Sequence, residues 1–480
     1  MKGNFFKKDV FILLVFLSLI SILILSQIIQ NEHPIGNDAY FHYFMSKLIL
    51  ENNFHLPEKI PYFWDGIKFG YPPLLHYMCA FFGLFFPLIE IFRILPLILL
   101  ISLLISIYFA FKDSHPVLGI MIFLMIPLSL MFLYTGVYGR PLGFIFLFLL
   151  IWALKTYTKS ENKNYLIASS LFFGMAILSH LTTGIMSFFI ILYFLIKLFH
   201  EKRDYKIIYV FSGVLFALPW LLTIFGRYGI FYFLDVLSMH SFRNLSILSA
   251  SIGFAALIYD TYKNKIPNLL TLLFFFSCIF FSYIGIIASV SLILAKILSK
   301  KLKMYRLKNI SILLIITLIV FSIYFPMILK FMGGIRPTIN PMESEALKWI
   351  KNDSDINKAI VIYSDAKNLK SNSFTAFIDT FIVGNEHYIP PTSHIPILTE
   401  RKTYTSFAFE WDLDKKRKEF EIEAAKLPCA RNLRKAMKEY NVTADYLWFD
   451  KGMYKDCVTE ETTNSTLVFE NKRIKIFKLN

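Results

Sequence analysis

The chain has 480 residues, of which 56% are hydrophobic and 17% aromatic, with 51 Phe and a formal charge of +16. So much apolar side chain cannot fill one soluble core, which excludes an ordinary globular protein and indicates a polytopic α-helical membrane protein. The basic residues are spread over the connections between apolar runs and over the tail, not gathered in one stripe, which excludes a nucleic-acid partner and suits contact with a lipid bilayer.

The first predicted element is an apolar span from Val10 to Ile29, behind Lys7-Lys8-Asp9. Its length is about the 20 residues that cross the hydrocarbon. It lacks a small-residue cleavage site and reads as a retained anchor.

A loop over 30–90 follows, opening on Gly36-Asn37-Asp38-Ala39-Tyr40-Phe41-His42. The pattern predicts a helix from Asp38 to Glu51, and a spacing of four puts Asp38 and His42 on one face beside the membrane. Glu32, Glu51, Glu58 and Asp65 share the loop with His33 and His55. A carboxylate there can take a proton from an acceptor hydroxyl, and several together can hold a hard divalent cation such as Mg or Mn. Asp38 and His42 are therefore the candidate catalytic pair and the candidate metal ligands. Glu51 and Glu58 also read as solvated surface charge, and Asp38 as a helix N-cap. Pro72 to Ile89 is apolar but short, holds His76, and runs into the next span through Glu90 and Arg93. It is expected to be an external helical hairpin dipping into the interface.

Further spans are predicted over 91–111, 116–134, 141–157, 165–181, 184–199, 206–225, 245–262, 267–283, 284–299 and 309–331, which makes about eleven transmembrane helices in all. Nineteen Lys and Arg then fall on the side of the N terminus and seven on the other side before the tail. Basic residues are retained in the cytoplasm, so the N terminus is expected inside and the C-terminal domain outside. Counting Pro72 to Ile89 as a crossing would invert every later loop.

Two short segments punctuate the external ends. Tyr138-Gly139-Arg140-Pro141 joins one pair of spans and Ser179-His180-Leu181-Thr182-Thr183-Gly184 another. A guanidinium, an imidazole and hydroxyls there suit a phosphate leaving group. Snorkelling by Arg140 and capping by His180 are the plainer alternatives. Asp235 and His240 occupy a later external loop.

The chain divides at 1–332 and 333–480 by composition, the second part being a polar segment long enough for one compact domain. Asn340-Pro341-Met342-Glu343 predicts the start of a helix running through Lys351. Strands are predicted at Ala359 to Tyr363, Asp445 to Phe449, Thr466 to Glu470 and Arg473 to Leu479, and helices at Lys415 to Lys426 and Arg431 to Tyr440. That describes a small external α+β domain. It carries glycosylation acceptor patterns at Asn352, Asn441 and Asn464, and Cys429 and Cys457 could pair there as a disulfide.

The first span, Asp38 with His42, then Trp64-Asp65-Gly66, Gly70-Tyr71-Pro72-Pro73-Leu74 and Arg93-Ile94-Leu95-Pro96 together resemble the GT-C superfamily of polyprenyl-phosphate-dependent glycosyltransferases. The protein mannosyltransferase and aminoarabinose transferase branches, and archaeal membrane proteins related to them, are the nearest in pattern. The resemblance covers about the first 190 residues and the plan of many spans plus an external C-terminal domain. It implies transfer of a sugar from a dolichyl-type polyprenyl-phosphate donor to a glycan, protein or lipid acceptor on the external face of the cell envelope. Asp38 then matches the first-loop acid, as general base or metal ligand. Arg140, His180 and Arg93 would bind the donor phosphate, and Asp65, Trp64, Tyr71 and His76 the substrate. The family's second acidic motif is missing from Tyr134 to Gly143, and Glu410-Trp411-Asp412 only partly echoes the Trp-Trp-Asp signature of oligosaccharyltransferases. A flippase for a lipid-linked precursor is the alternative, but ionisable groups inside the spans are almost confined to Arg93 and His180. A non-catalytic anchor would not need so many spans.

Overall fold

The computed structural model describes residues 11, 14–15, 17–22, 25, 34, 37–61, 67–112, 116–125, 136–229, 251–260, 268–279, 283–302, 341–352, 358–362, 401, 403–404, 433–450 and 465–479. The described residues of the first span are helical. Then come α1 (Asn37–Glu51), β1 (Lys59–Ile60), β2 (Ile67–Lys68), α2 (Leu74–Phe82), α3 (Leu88–Phe111) and α4 (Pro116–Met125). They are followed by α5 (Gly139–Ser160), α6 (Asn164–Ser179), α7 (Leu181–Lys202), a 3-10 helix (Lys206–Gly213) and α8 (Val214–Tyr228). The apolar helix α9 (Ser251–Asp260) precedes α10 (Leu269–Ile279) and α11 (Tyr283–Leu302). The tail holds α12 (Pro341–Asn352), β3 (Ile360–Ile362), β4 (Thr403–Tyr404), α13 (Leu433–Glu439), β5 (Tyr446–Asp450), β6 (Ser465–Glu470) and β7 (Ile474–Leu479).

Among the described residues, four helices are long and apolar enough to cross a membrane: Leu88–Phe111, Gly139–Ser160, Leu181–Lys202 and Lys206–Tyr228. The sequence runs the last of these as one span, but it begins as eight residues of 3-10 helix, where the Ser212 hydroxyl meets that of Ser170 on α6 at 2.9 Å. The tighter winding is usually kept to short pieces at helix ends. Helix α2 has nine residues, about 14 Å at the helical rise and far short of a crossing. Of the remaining spans, 309–331 and the second half of 116–134 lie outside the described residues.

The chain forms two compact units: Met1–Glu32, Tyr71–Phe82 and Glu90–Ile328 in the first, and His33–Gly70, Gly83–Ile89 and Leu329–Asn480 in the second. The sequence keeps the loop 30–90 with the transmembrane part, whereas most of that loop is grouped here with the tail. The reason lies in α1, whose Ala39, Tyr40, Phe41, Phe44, Met45 and Ile49 are buried and so demand a covering core.

Within the first unit α3 and α5 run parallel. Phe92 meets Tyr138 at the start of the pair (6.5 Å between rings), and Phe109 meets Trp152 near its end (5.9 Å). Pro96 sits inside α3, a position that membrane helices tolerate when neighbours satisfy the freed carbonyl. Loop geometry at the far end is fixed by polar side chains: the Tyr157 hydroxyl donates to Asp204 Oδ2 at 2.7 Å, and Lys202 Nζ donates to Glu161 at 2.7 Å. Asp204 loses hydration by burial, yet the Lys206 N–H and the Tyr157 hydroxyl hold its carboxyl below the usual range.

In the second unit the tail sheet has the order β4-β3-β5-β7-β6. Strand β3 is parallel to both β4 and β5, while β7 is antiparallel to β5 and β6. Asn471 makes the β6–β7 turn by accepting from Arg473 N–H (2.9 Å) and Ile474 N–H (2.7 Å), the Asx geometry that suits a tight turn. Its amide also donates to Met342 O at 2.8 Å, tying the turn to α12. Trp349 of α12 packs on Tyr446 and Phe469, ring centroids 6.1 and 5.6 Å away. The predicted helix Lys415 to Lys426, and Cys429 with Cys457, lie outside the described residues.

Candidate functional site

In the second unit α1 begins at Asn37, so Asp38 is in the first helical turn and not at the N-cap. A carboxylate there faces the helix's unsatisfied N–H groups and is favoured by the macrodipole. Asp38 is exposed. His42, one turn on, is only 1% exposed, and its ring lies 5.5 Å from that of Phe41. Burial pushes its pKa down to about 3, so the imidazole is neutral at any physiological pH. The spacing of four therefore puts an open carboxylate and a covered imidazole on one stripe, not two accessible groups. Tyr40 is also buried, and its hydroxyl is pushed well above its ordinary pKa by burial and then by the charge of Glu343 in α12. Glu343, in the first turn of α12, is 2% exposed.

In the first unit the segments around Gly139 and Ser179 converge with Tyr71 on the start of α5. A Cβ on Gly139 would lie 2.7 Å from the Tyr71 hydroxyl and 3.0 Å from the carbonyl of Ser179, so glycine alone lets these three segments meet. Tyr71 holds His76 edge-on at 5.6 Å, and His76 is fully buried. Arg140 follows Gly139 within the first turn of α5, where a cation opposes the helix dipole. A local rule broken at a convergent site is a mark of function. His180 links α6 and α7 in an extended conformation (φ −162°, ψ 125°). Its carbonyl accepts the Thr183 hydroxyl at 2.8 Å, and Gly143 of α5 packs directly on that hydroxyl.

The structure thus brings Tyr71 and His76 together with the segments that carry Arg140 and His180, and the Tyr138 ring lies tilted against that of Phe92, one residue before Arg93. Arg93 itself is held by Glu90, with Nη1 donating to both carboxylate oxygens at 2.8 and 2.7 Å. Sequence reading missed that engagement, although Glu and Arg three apart on a helix are its usual signal. Trp64, Asp65, Asp235 and His240 lie outside the described residues. Among the described residues no group of three His, Cys, Asp or Glu could hold a metal ion. Asp38 and His42 offer two ligands, one of them covered, which does not complete the site of a divalent cation.

No family model matches the sequence, and no curated protein matches it. Solved structures do. The oligosaccharyltransferase AglB of Archaeoglobus fulgidus, in complex with an inhibitory peptide and a dolichol-phosphate, aligns with a TM-score of 0.62 at 13% identity over 93% of this chain and 70% of its own. ArnT of Cupriavidus metallidurans bound to undecaprenyl phosphate aligns with a TM-score of 0.54 at 11% identity over 97% of each chain. The chain shares the fold of the AglB and ArnT structures. A further AglB structure, a complex with Zn and sulfate, aligns with a TM-score of 0.53 at 13% identity over 92% of this chain and 68% of its own. With identities this low the likeness shows the fold alone, while the chemistry rests on the residues.

Proposed function

We propose that this protein is a membrane glycosyltransferase that moves a sugar from a polyprenyl-phosphate-linked donor to an acceptor on the external face of the membrane. The observation that carries the reading is the convergence of Tyr71, Arg140 and the His180 link at the glycine-lined start of α5, in a chain with the GT-C fold. The AglB and ArnT structures hold dolichol-phosphate and undecaprenyl phosphate, which supports a lipid-phosphate donor here.

Arg140 and His180 neutralise the departing lipid phosphate, and the N–H groups opening α5 add to that field. Arg93 contributes charge in company with Glu90. Tyr71 and His76 shape the donor side, with Trp64 and Asp65 as further substrate contacts. Asp38 is the group that takes the proton from the acceptor hydroxyl. His42 is neutral and enclosed, so its role is to set the backbone of α1 beneath Asp38, a change from the catalytic role expected for it. The full plan has about eleven spans, with the N terminus cytoplasmic and the tail outside. The acceptor is a glycan, protein or lipid of the envelope.

The test is transfer of radiolabelled sugar from polyprenyl-phosphate donors to membrane acceptors by purified protein. Asp38→Asn keeps the shape and removes the base, so transfer should fall by about two orders of magnitude or more. Full activity in that variant would remove Asp38 from the reaction, and no transfer from any such donor by wild-type protein would refute the activity.

A further inference from the structure

The tail carries three Asn-x-Ser/Thr patterns that the proposed chemistry does not use. The one at Asn441-Val442-Thr443 lies wholly within the described residues, between α13 and β5. Asn352 ends α12, but its Ser354 lies outside the described residues, as does Asn464.

The chain leaves α13 through a left-handed turn at Asn441, with φ 55°. The Asn441 N–H donates to Lys438 O at 3.3 Å and the Val442 N–H to Met437 O at 2.7 Å, the pair of bonds that closes a helix around one left-handed residue. Met437 and Val442, the positions where an apolar contact usually accompanies such a turn, are 5% and 4% exposed. Glycine is the usual residue at the left-handed position and asparagine a known substitute, so the turn by itself accounts for Asn441. It does not account for Thr443. The side chains of Asn441 and Thr443 are both exposed, and neither makes a hydrogen bond among the described residues. Lys435, Lys438 and Glu439 at the same helix end are exposed as well, so a large group on Asn441 would stand in solvent without displacing core. The turn therefore buries the middle residue of the acceptor pattern and turns outward the two side chains that define it.

We infer that Asn441 is a site of covalent modification, N-glycosylated by an oligosaccharyltransferase of the cell from a polyprenyl-phosphate-linked oligosaccharide. This rests on the external placing of the tail in the reading above, not on the roles given to Asp38 and Arg140. In the transfer the amide nitrogen of Asn441 bonds to C1 of the first sugar and the C1–O bond to the lipid phosphate breaks, its electron pair leaving with the phosphate. The amide gives up one proton to the transferring enzyme. Val442 is enclosed once the turn forms, so transfer precedes the closing of α13, and the bulky, solubilising glycan then covers this end of the folded domain.

Mass spectrometry of protein purified from native membranes tests the site. Asn441 is the one asparagine of the tryptic peptide 439–451, so any glycan on that peptide is assigned without ambiguity. Wild type should show the peptide carrying the mass of an oligosaccharide. Thr443→Ser should keep the modification, whereas Thr443→Val and Asn441→Gly should lose it completely. Asn441→Gly retains the left-handed turn at no steric cost, so its loss of glycan is not a loss of fold. A parallel sample of intact cells is treated with a membrane-impermeant amine-reactive biotin ester, and the exposed Lys348 and Lys351 of α12 report on which side the tail lies. An unmodified wild-type peptide with biotin on these lysines would overturn the site and leave the transferase reading standing. An unmodified peptide with biotin only after lysis would overturn the site and the external tail together. A glycan that persists in Thr443→Val would overturn recognition through the acceptor pattern.

Discussion

His42 shows how one buried side chain can govern pH behaviour without taking part in chemistry. Its folded-state pKa of about 3 lies below the ordinary 6.5, so on acidification the unfolded chain takes up a proton that the folded chain refuses. The stability it contributes is complete above about 6.5 and is lost as the pH falls toward 3, by about 1.4 kcal/mol per pH unit. Wild-type Tm should therefore drop between pH 6.5 and 5, and His42→Leu should flatten that part of the curve in scanning fluorimetry. A slope that persists unchanged in the variant would assign the acid sensitivity to other groups. The buried state of His42 was not legible in the sequence, because the spacing from Asp38 fixes a helical stripe but not what covers each turn. The place of Arg140 at the start of a span was legible, since Tyr138-Gly139-Arg140-Pro141 interrupts the apolar run. The engagement of Arg93 by Glu90 was overlooked in favour of its neighbours downstream.

Between elements, the approach of α5 to α7 is set by Gly143 and Thr183. An alanine at Gly143 would drive its Cβ into the Thr183 hydroxyl, which bonds back to the carbonyls of His180 and Ala176 at 2.8 and 3.2 Å. Gly143→Ala should cost about 1–3 kcal/mol of stability and disturb the His180 link, lowering transfer as well as Tm. Adding Thr183→Ala makes room, so the pair should be less damaged than the two losses summed, a coupling that a double-mutant cycle reads directly. Strict additivity would mean that the two residues are not packed as described. Long helices were the most readable part of the chain: spans expected over 91–111, 141–157 and 184–199 correspond to α3, α5 and α7 with ends differing by a few residues. The tail strands β5, β6 and β7 were readable too, because each is a short run rich in aromatic and branched apolar residues. Strand β4 was not, since two residues, Thr403–Tyr404, carry no period and are recognised by their pairing with β3.

For the molecule as a whole, orientation is the open quantity with the sharpest readout. In a background lacking all four cysteines, Lys472→Cys in the β6–β7 turn and Lys163→Cys in the loop between α5 and α6 place single thiols at exposed positions of the two units. A membrane-impermeant maleimide applied to intact cells should label the first, and reach the second only after lysis. The reverse pattern would turn the protein over and put the proposed chemistry in the cytoplasm. Composition alone made the membrane class legible, and the strength of that signal comes from the lipid solvent, which penalises any exposed backbone. It could not show that the first loop and the tail make one compact unit, because that grouping depends on contacts between distant parts of the chain.

That grouping bears on how the protein is made. Helix α1, with Asp38 at its head, emerges early in synthesis, yet the compact unit it belongs to is completed by residues from the other end of the chain, and Glu343 acts on its Tyr40. Until translation finishes, Glu343 and the rest of the tail are missing from the unit to which Tyr40 belongs. A prematurely terminated chain would insert its spans but leave α1 unsupported. The helix that carries the proposed base would then become competent only in a finished protein, which would act as a built-in proofreading of its own biosynthesis.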